Sequence, residues 1–588
     1  MHNGDQVETD AVTKSYMLRI FFFACAVFSA SVLRAEVYSV AQNGDQKIRR
    51  EYSFENPGLG IVSAEPIGDQ HVVFKDTAGH PVKYYHTVTD SWVKVEELVP
   101  KQHFSLLSWL VVAGYFGVIA VMGVYFARKE KSTASFFRGG GRIPWYVAGV
   151  SLFATMLSSV TFLSVPSLAF ISDWRLYQNC LLGQLIVIPI AILFYMPVFR
   201  KMNLTSAYEY LERRFNLATR LFSSAVFVIF MVMRVAIVTL LPAIAIDAVT
   251  GVGIDFSIVI CGFVTVLYCS LGGLEAVIWS DFLQGIVLMG GAILILVWLI
   301  TGTDGGFAGY VALGADAHKF RCFDFSPNLA ELTFWVALSL GVTQTLFSYT
   351  SDQCVVQRYV AVKDNRAAVR SMVFNAVLSL VGITVFFAIG TALWTHYKCH
   401  PELLDPLMPK NDAIFPHFIG MELPPVFAGL VIAAVFAATI STLSANLSAA
   451  SSAIVSDFFL RFRPSSSERD GVRLGQVCVA VCGVIGTAAA FILAHVDLRS
   501  LCDLFQETIS TVTAGVAGIF FLGVFAPRVG GGAAFSGLVV NFFVCFALKF
   551  CGFAARFGIH PFLIGGIGLA ACIVTGVVLS WFHPRRIK

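Results

Sequence analysis

Charge is what this sequence lacks. Only 13% of its 588 residues are charged, about half the share in an average globular chain. A soluble chain so poor in charge could not cover its own surface with polar groups. That excludes most soluble enzymes, disordered chains and coiled coils. The 41 Lys and Arg nearly balance the 37 Asp and Glu, so no nucleic acid or other polyanion is implied as a partner. The 13 cysteines form no CxxC or zinc-ligand spacing. Most sit in apolar stretches, where cysteine behaves as a small hydrophobe. No cofactor motif is present.

What the sequence has instead is apolar length. Hydrophobic residues make up 57% of the chain, 53 of them Phe, and they gather in stretches long enough to cross a bilayer. The pattern predicts an all-α polytopic membrane protein with about 13 transmembrane helices. The spans fall at about 104–126, 143–172, 178–199, 218–248, 254–273, 276–302, 329–352, 366–397, 423–459, 473–495, 500–527, 532–550 and 558–582. Basic residues mark one side. Arg128, Lys129, Lys131, Arg138 and Arg142 follow the first span, and Arg200, Lys201, Arg213, Arg214 and Arg220 the third. Arg358, Lys363 and Arg366 follow the seventh, Arg461, Arg463, Arg469 and Arg473 the ninth, and Arg585, Arg586 and Lys588 the last. If the spans alternate, all share one side. The positive-inside rule makes that side the cytoplasm, and a multi-pass inner (plasma) membrane protein is expected.

The chain before the first span reads as two pieces. Lys14 and Arg19 precede FFFACAVFSASVL, and Leu33-Arg34-Ala35 follows. This predicts a signal peptide over 1–35, with an uncleaved anchor as the alternative. Residues 36–103 are polar, alternating and punctuated by Gly and Pro, as in a small β-rich segment outside the membrane. Tyr85, Thr89, Trp92 and Leu98 resemble a Kelch strand pattern, over about one blade. His71, His80 and His86 read as surface residues rather than ligands. Two loop cysteines, Cys322 and Cys399, fall on the outer side and could form a disulfide in an oxidising compartment.

Function in a membrane chain is sought where the apolar pattern fails. The second span carries Ser158, Ser159, Thr161, Ser164 and Pro166. Proline removes a backbone donor, and hydroxyls can satisfy freed carbonyls, so a break is expected there. Ala154, Leu157, Ser158 and Thr161 share one helical face. The ninth span crowds Ser441, Thr442, Ser444, Ser448, Ser451 and Ser452 among alanines. Hydroxyls and carbonyls suit a hard cation such as sodium; close packing of small residues is the competing reading. Arg234 lies at the middle of the fourth span, too deep to snorkel easily. It needs a carboxylate, from the protein or a ligand. Asp281, in the sixth span, could complete a cation site or pair with Arg234.

Several strings together resemble the sodium:solute symporter family: Gly139-Gly140-Gly141 with Pro144-Trp145, SAYEYLERRF at 206–215, LGGLEAVIWSDFLQG at 271–285, DQCVVQRYVAVK at 352–363, and Ser441-Thr442 with Asp457 downstream. The resemblance covers about 104–582, nearly the whole of a membrane domain placed at 104–588. It implies the LeuT-type fold, two inverted five-helix repeats, here spans two to six and seven to eleven. MNLTSAYEYLERRFNLATRLF and Arg234 resemble the bacterial sialic acid branch, some members of which carry a Kelch domain. The resemblance then implies a sodium site at Ala154, Leu157, Ala438, Ser441 and Thr442. It implies a possible second sodium at Asp281 and Ser444, where Ala445 lacks an expected hydroxyl. Ser158, Thr161, Arg234 and either Gln178 or Gln184 would contact substrate, with Gln184 taken as the candidate.

The expected activity is sodium-coupled import of a small organic anion, sialic acid foremost, by alternating access. Sodium is the coupling ion, the bilayer and the anion are the other partners, the monomer is the working unit, and no enzymatic activity is implied. The rivals are a symporter of monocarboxylates or sugars, and a Kelch-type surface receptor or enzyme with a membrane anchor. Arg234 disfavours neutral sugars, and a single blade is too little for the last.

Overall fold

The computed structural model describes residues 104–582, apart from 128–142, 203–204, 251, 272–273, 405–413, 464 and 497–500, and the backbone of four strands between 63 and 94. The predicted signal peptide, the basic cluster after the first span and the basic C-terminal residues lie outside the described residues. The described chain belongs almost wholly to one compact unit, Ile61–His495 with Arg499–Lys588.

The alternating stretch forms a four-stranded antiparallel meander: β1 (Ser63–Ile67), β2 (His71–Lys75), β3 (Pro81–His86) and β4 (Ser91–Lys94). Tyr85 and Trp92, two of the patterned positions, are directly opposed across β3 and β4.

The rest is helical, because backbone in lipid must satisfy its own hydrogen bonds. The helices are α1 (Leu106–Ala127), α2 (Trp145–Met156), α3 (Val160–Ile171), α4 (Trp174–Met202), α5 (Glu209–Arg214), α6 (Leu217–Thr250), α7 (Ile254–Leu271), α8 (Leu274–Gly302) and α9 (Gly306–Asp316). They continue with α10 (Phe334–Thr350), α11 (Gln353–Val360), α12 (Asn365–Cys399), α13 (Ile414–Met421), α14 (Pro425–Phe462), α15 (Glu468–Ala494), α16 (Leu501–Phe525), α17 (Gly531–Phe550) and α18 (Ile564–Phe582). Each predicted span falls on one of these helices, except the second, which falls on α2 and α3 together. Among the described residues nine are long and apolar enough to cross a membrane, and α2 with α3 make a tenth, bent by 64°. Large apolar side chains such as Val121, Leu193, Phe263, Phe543 and Val574 face outward, as on a lipid-facing surface.

The ninth span, α14, is central: 83% of its apolar window is buried, against 33% for α17 and α18. Its Ala and Ser residues let α1, α2, α6, α8 and α15 approach closely. Glycine does the same between α4 and α10. A Cβ on Gly341 would stand 2.1 Å from the Asn179 carbonyl oxygen.

Three expectations need correction. Arg358 and Arg220, read as loop charges, are buried, because each finds a carboxylate distant in sequence. Cys322 and Cys399 are free thiols, and the Cys322 thiol instead donates to the Phe320 carbonyl at 3.5 Å. The seventh span, placed at 329–352, does not end in a loop: α10 stops at Thr350 and a second short helix, α11, follows at once from Gln353.

Candidate substrate and cation site

The second span breaks early. Leu157 closes α2 in an extended conformation (φ −89°, ψ 100°), and the chain resumes through a π-type turn at Val160–Ser164 before Val165–Ile171. Pro166, expected to cause the break, instead lies in the first turn of that last helical segment, where its missing N–H costs nothing. The break frees carbonyls, and the ninth span meets them. Ser441 Oγ donates to Ala154 O at 2.9 Å and lies 3.2 Å from Ala438 O. Thr442 Oγ1 donates to Thr155 O at 3.3 Å. Four of the five sodium-site residues implied by resemblance are thus gathered. Leu157 lies at the break three residues on.

Asp281 is fully buried, and its partner is Arg358, not Arg234. Arg358 Nη2 lies 2.7 Å from Asp281 Oδ2, which also accepts from Ser151 Oγ at 2.8 Å and Thr155 Oγ1 at 3.4 Å. Arg358 further donates to Ser151 Oγ at 2.9 Å and Cys354 O at 2.6 Å. Thr155 therefore touches Asp281 with its side chain and Thr442 with its carbonyl. Ser444 Oγ turns back to Ser441 O at 3.1 Å, so no hydrogen bond joins it to Asp281.

The predicted substrate residues lie around the break. Ser158 Oγ is buried without a hydrogen-bond partner. Ser159 Oγ donates to Val238 O at 3.0 Å, one helical turn beyond Arg234, which sets the break against the arginine's helix. Thr161 is half-buried. Arg234 is 6% exposed, with Nη1 3.6 Å from Asp352 Oδ2 and the guanidinium 5.8 Å from the Phe505 ring centroid. Gln178 Nε2 donates to Arg175 O at 3.0 Å and Gln184 Nε2 to Cys180 Sγ at 3.4 Å. Each keeps a buried Oε1 without a partner.

Sequence reasoning missed the seventh break. Thr350 ends α10, Ser351 turns (φ −132°), and Asp352 caps α11 by accepting from Cys354 N at 2.8 Å. A usable signal was the string Asp352, Gln353, Gln357 and Arg358, four polar residues crowded just after the apolar run of the seventh span. Two further contacts brace the breaks. Lys319 donates to Phe170 O at 2.6 Å and Ser172 O at 3.0 Å, clasping the end of α3. Burial pushes its ammonium down to about 8, against the opposing charge of Asp173. At the other end, the stretch before α5 is stitched down. Gln353 accepts from Ala207 N and donates to Thr205 O, both at 2.8 Å. Tyr208 Oη donates to Ser351 O at 2.9 Å, and Ser206 Oγ to Asp457 Oδ2 at 2.9 Å. Asp457 also holds Arg220 at 2.7 Å and Ser224 at 2.7 Å.

Two helices broken inside the membrane part, one backed by hydroxyls and one facing a buried arginine, define a carrier: irregular backbone at depth is tolerated where it builds a binding site. The chain belongs to the sodium:solute symporter family, whose pattern it matches over residues 136–541. It is 36% identical over 496 residues to the sodium/sialic acid symporter SiaT of Proteus mirabilis, covering 82% of this chain and 97% of that protein. It is 34% identical over 494 residues to the sodium/sialic acid symporter NanT of Aliivibrio fischeri, covering 83% and 95%. The human sodium-coupled monocarboxylate transporter 1 is 30% identical over 449 residues, covering 75% and 72%. Among solved structures, a Na+-coupled sialic acid symporter in a substrate-bound outward-open state superposes with a TM-score of 0.75 at 34% identity, covering 82% of this chain and all of that one. The fold is therefore the LeuT-type helical bundle, and the two breaks fall in the first span of each repeat. The family is one of transporters, not enzymes.

Proposed function

We propose that this chain is a sodium-coupled symporter that imports sialic acid across a bacterial inner membrane. The observation that carries the reading is the meeting of Ser441 and Thr442 with the carbonyls of Ala154 and Thr155 at the second-span break. Oxygen dipoles converge there without a carboxylate, which suits a monovalent hard cation. Ala154, Leu157, Ala438, Ser441 and Thr442 would hold sodium, bracing the broken span against α14. Arg234 would take the substrate carboxylate and Ser158, Thr161 and Gln184 its polar groups. Asp281 is less suited to a second sodium, since Arg358 already neutralises it. Coupling is then reciprocal: sodium that steadies the break raises substrate affinity, and substrate raises sodium affinity by the same factor. The mature N-terminus lies outside, the C-terminus inside, and the monomer is the working unit. The β-sheet is an outer Kelch-like appendage.

Sodium-dependent uptake into proteoliposomes, with sialic acid, lactate and glucose compared, tests the reading. Sialic acid uptake that collapses when potassium replaces sodium is the expected result. Preference for lactate would move the protein to the monocarboxylate branch, to which the human relative belongs.

A further inference from the structure

Among the described residues, three buried arginines pair with buried carboxylates, and one pair differs. Arg220 and Arg358 approach theirs to 2.7 Å and make several hydrogen bonds each. Arg234 stays 3.6 Å from Asp352, beyond hydrogen-bond distance, and its Nε has no partner. A guanidinium carries five donors in a rigid fork matched to a carboxylate, so this buried one has donors to spare. Asp352 cannot simply advance to use them. Its Oδ1 is held by Cys354 N at the start of α11, and leaving would uncap the helix that carries Arg358. The ion pair is thus held short of closure.

The geometry points to Asp352 as a resident counter-anion that the substrate's carboxylate displaces electrostatically at Arg234. This rests on the reading of Arg234 as the carboxylate receptor. In the empty carrier Asp352 neutralises the buried arginine, so the unloaded protein can reorient without an uncompensated charge. In the loaded carrier the substrate makes the bidentate contact that Asp352 cannot. The aspartate therefore weakens substrate binding and speeds the return of the empty carrier. It acts on Arg234 and is a positioning residue.

Asp352→Asn is the test, because asparagine keeps the capping oxygen and removes the charge. Binding of N-acetylneuraminate at saturating sodium, measured by calorimetry on the full chain, is expected to tighten by roughly tenfold, since a like charge nearby has been removed. In proteoliposomes net uptake falls severalfold, because the empty carrier now returns with an unpaired arginine. Exchange between preloaded and external substrate, which bypasses that return, is retained. A purely structural role would lower both rates together. If melting shows the variant unfolded, Asp352→Ser, which also caps, takes its place with the same readouts. A folded variant that binds no tighter, or whose uptake and exchange fall in parallel, overturns the proposal. Arg234→Ala separates the levels. Binding abolished there, with Asp352→Asn indistinguishable from wild type, defeats the counter-anion alone. Normal binding by a folded Arg234→Ala protein, or no binding by the wild type, defeats the carboxylate reading and the counter-anion with it.

Discussion

The two broken spans solve the same problem with different chemistry. The second breaks at Leu157 and answers its loose carbonyls with the neutral hydroxyls of Ser441 and Thr442. The seventh breaks at Ser351 and answers its loose N–H groups with a carboxylate, Asp352. A neutral break gathers oxygen dipoles, each worth little alone. A charged break brings counter-charges into the bundle, and these are costly to separate. Arg358 ties the two together, since it starts one turn into α11 and ends on Asp281 and Ser151 beside the other break. The lesson is one of scale: damage at the charged break should threaten the fold, and damage at the neutral break should chiefly alter ion binding.

The largest effect should come from cutting the tie. Arg358→Ala strands Asp281 in the interior and should cost about 3–5 kcal/mol, visible as a large fall in melting temperature in detergent. The paired change Arg358→Met with Asp281→Leu should recover much of that loss, because neither charge is then left alone. Equal melting of the single and paired variants would show that packing, not charge, holds the seventh break. Next comes the glycine contact that seats α10 against α4. Gly341→Ala presses a methyl into the Asn179 carbonyl and should destabilise by about 1–3 kcal/mol. A wild-type melting curve would mean that the two helices can part freely.

At the neutral break, Ser441→Ala should leave melting without sodium nearly unchanged. It should raise the sodium needed for half-maximal uptake by about tenfold, as for losing one polar ligand worth about 1.4 kcal/mol. An unchanged sodium curve would remove α14 from the cation site. A last effect, read against pH, is expected at Lys319. The folded chain releases this proton near pH 8 while the unfolded chain keeps it to about 10.5. Between those values the unfolded state binds more protons, so stability should rise with pH, and below about 8 the contribution is flat. Lys319→Met should flatten the rise in a melting series from pH 7 to 10.

The helical spans were legible in the sequence because lipid imposes one rule on every residue of a helix: nine of the described helices, and α2 with α3 as a bent tenth, are apolar enough and long enough to cross a membrane. The hydroxyl-rich faces at 154–161 and 441–444 were legible too, being local patterns. What stayed hidden was pairing across distance. Arg358 read as a loop cation because its carboxylate lies 77 positions away in the chain. Arg234 and Asp281 each announced a missing partner, and nothing local said that the two did not belong together. The second break was expected from Pro166, yet it falls nine residues earlier, where freed carbonyls can reach α14. The seventh break was missed because Asp352 sits at the edge of an apolar run and looks like its end.

The stitching of residues 205–208 bears on how often the protein can visit another shape. Four hydrogen bonds, two shared with Gln353 and one each to Ser351 and Asp457, hold that short stretch to two different spans. At about 1 kcal/mol net apiece, their joint loss costs about 4 kcal/mol, near one molecule in a thousand at any instant. An opening that rare is invisible in an average structure yet ample for a transport cycle, since microsecond-to-millisecond excursions of such minor states are ordinary. The tempo of this carrier is therefore written partly in an amide and a carboxylate that touch neither candidate ligand.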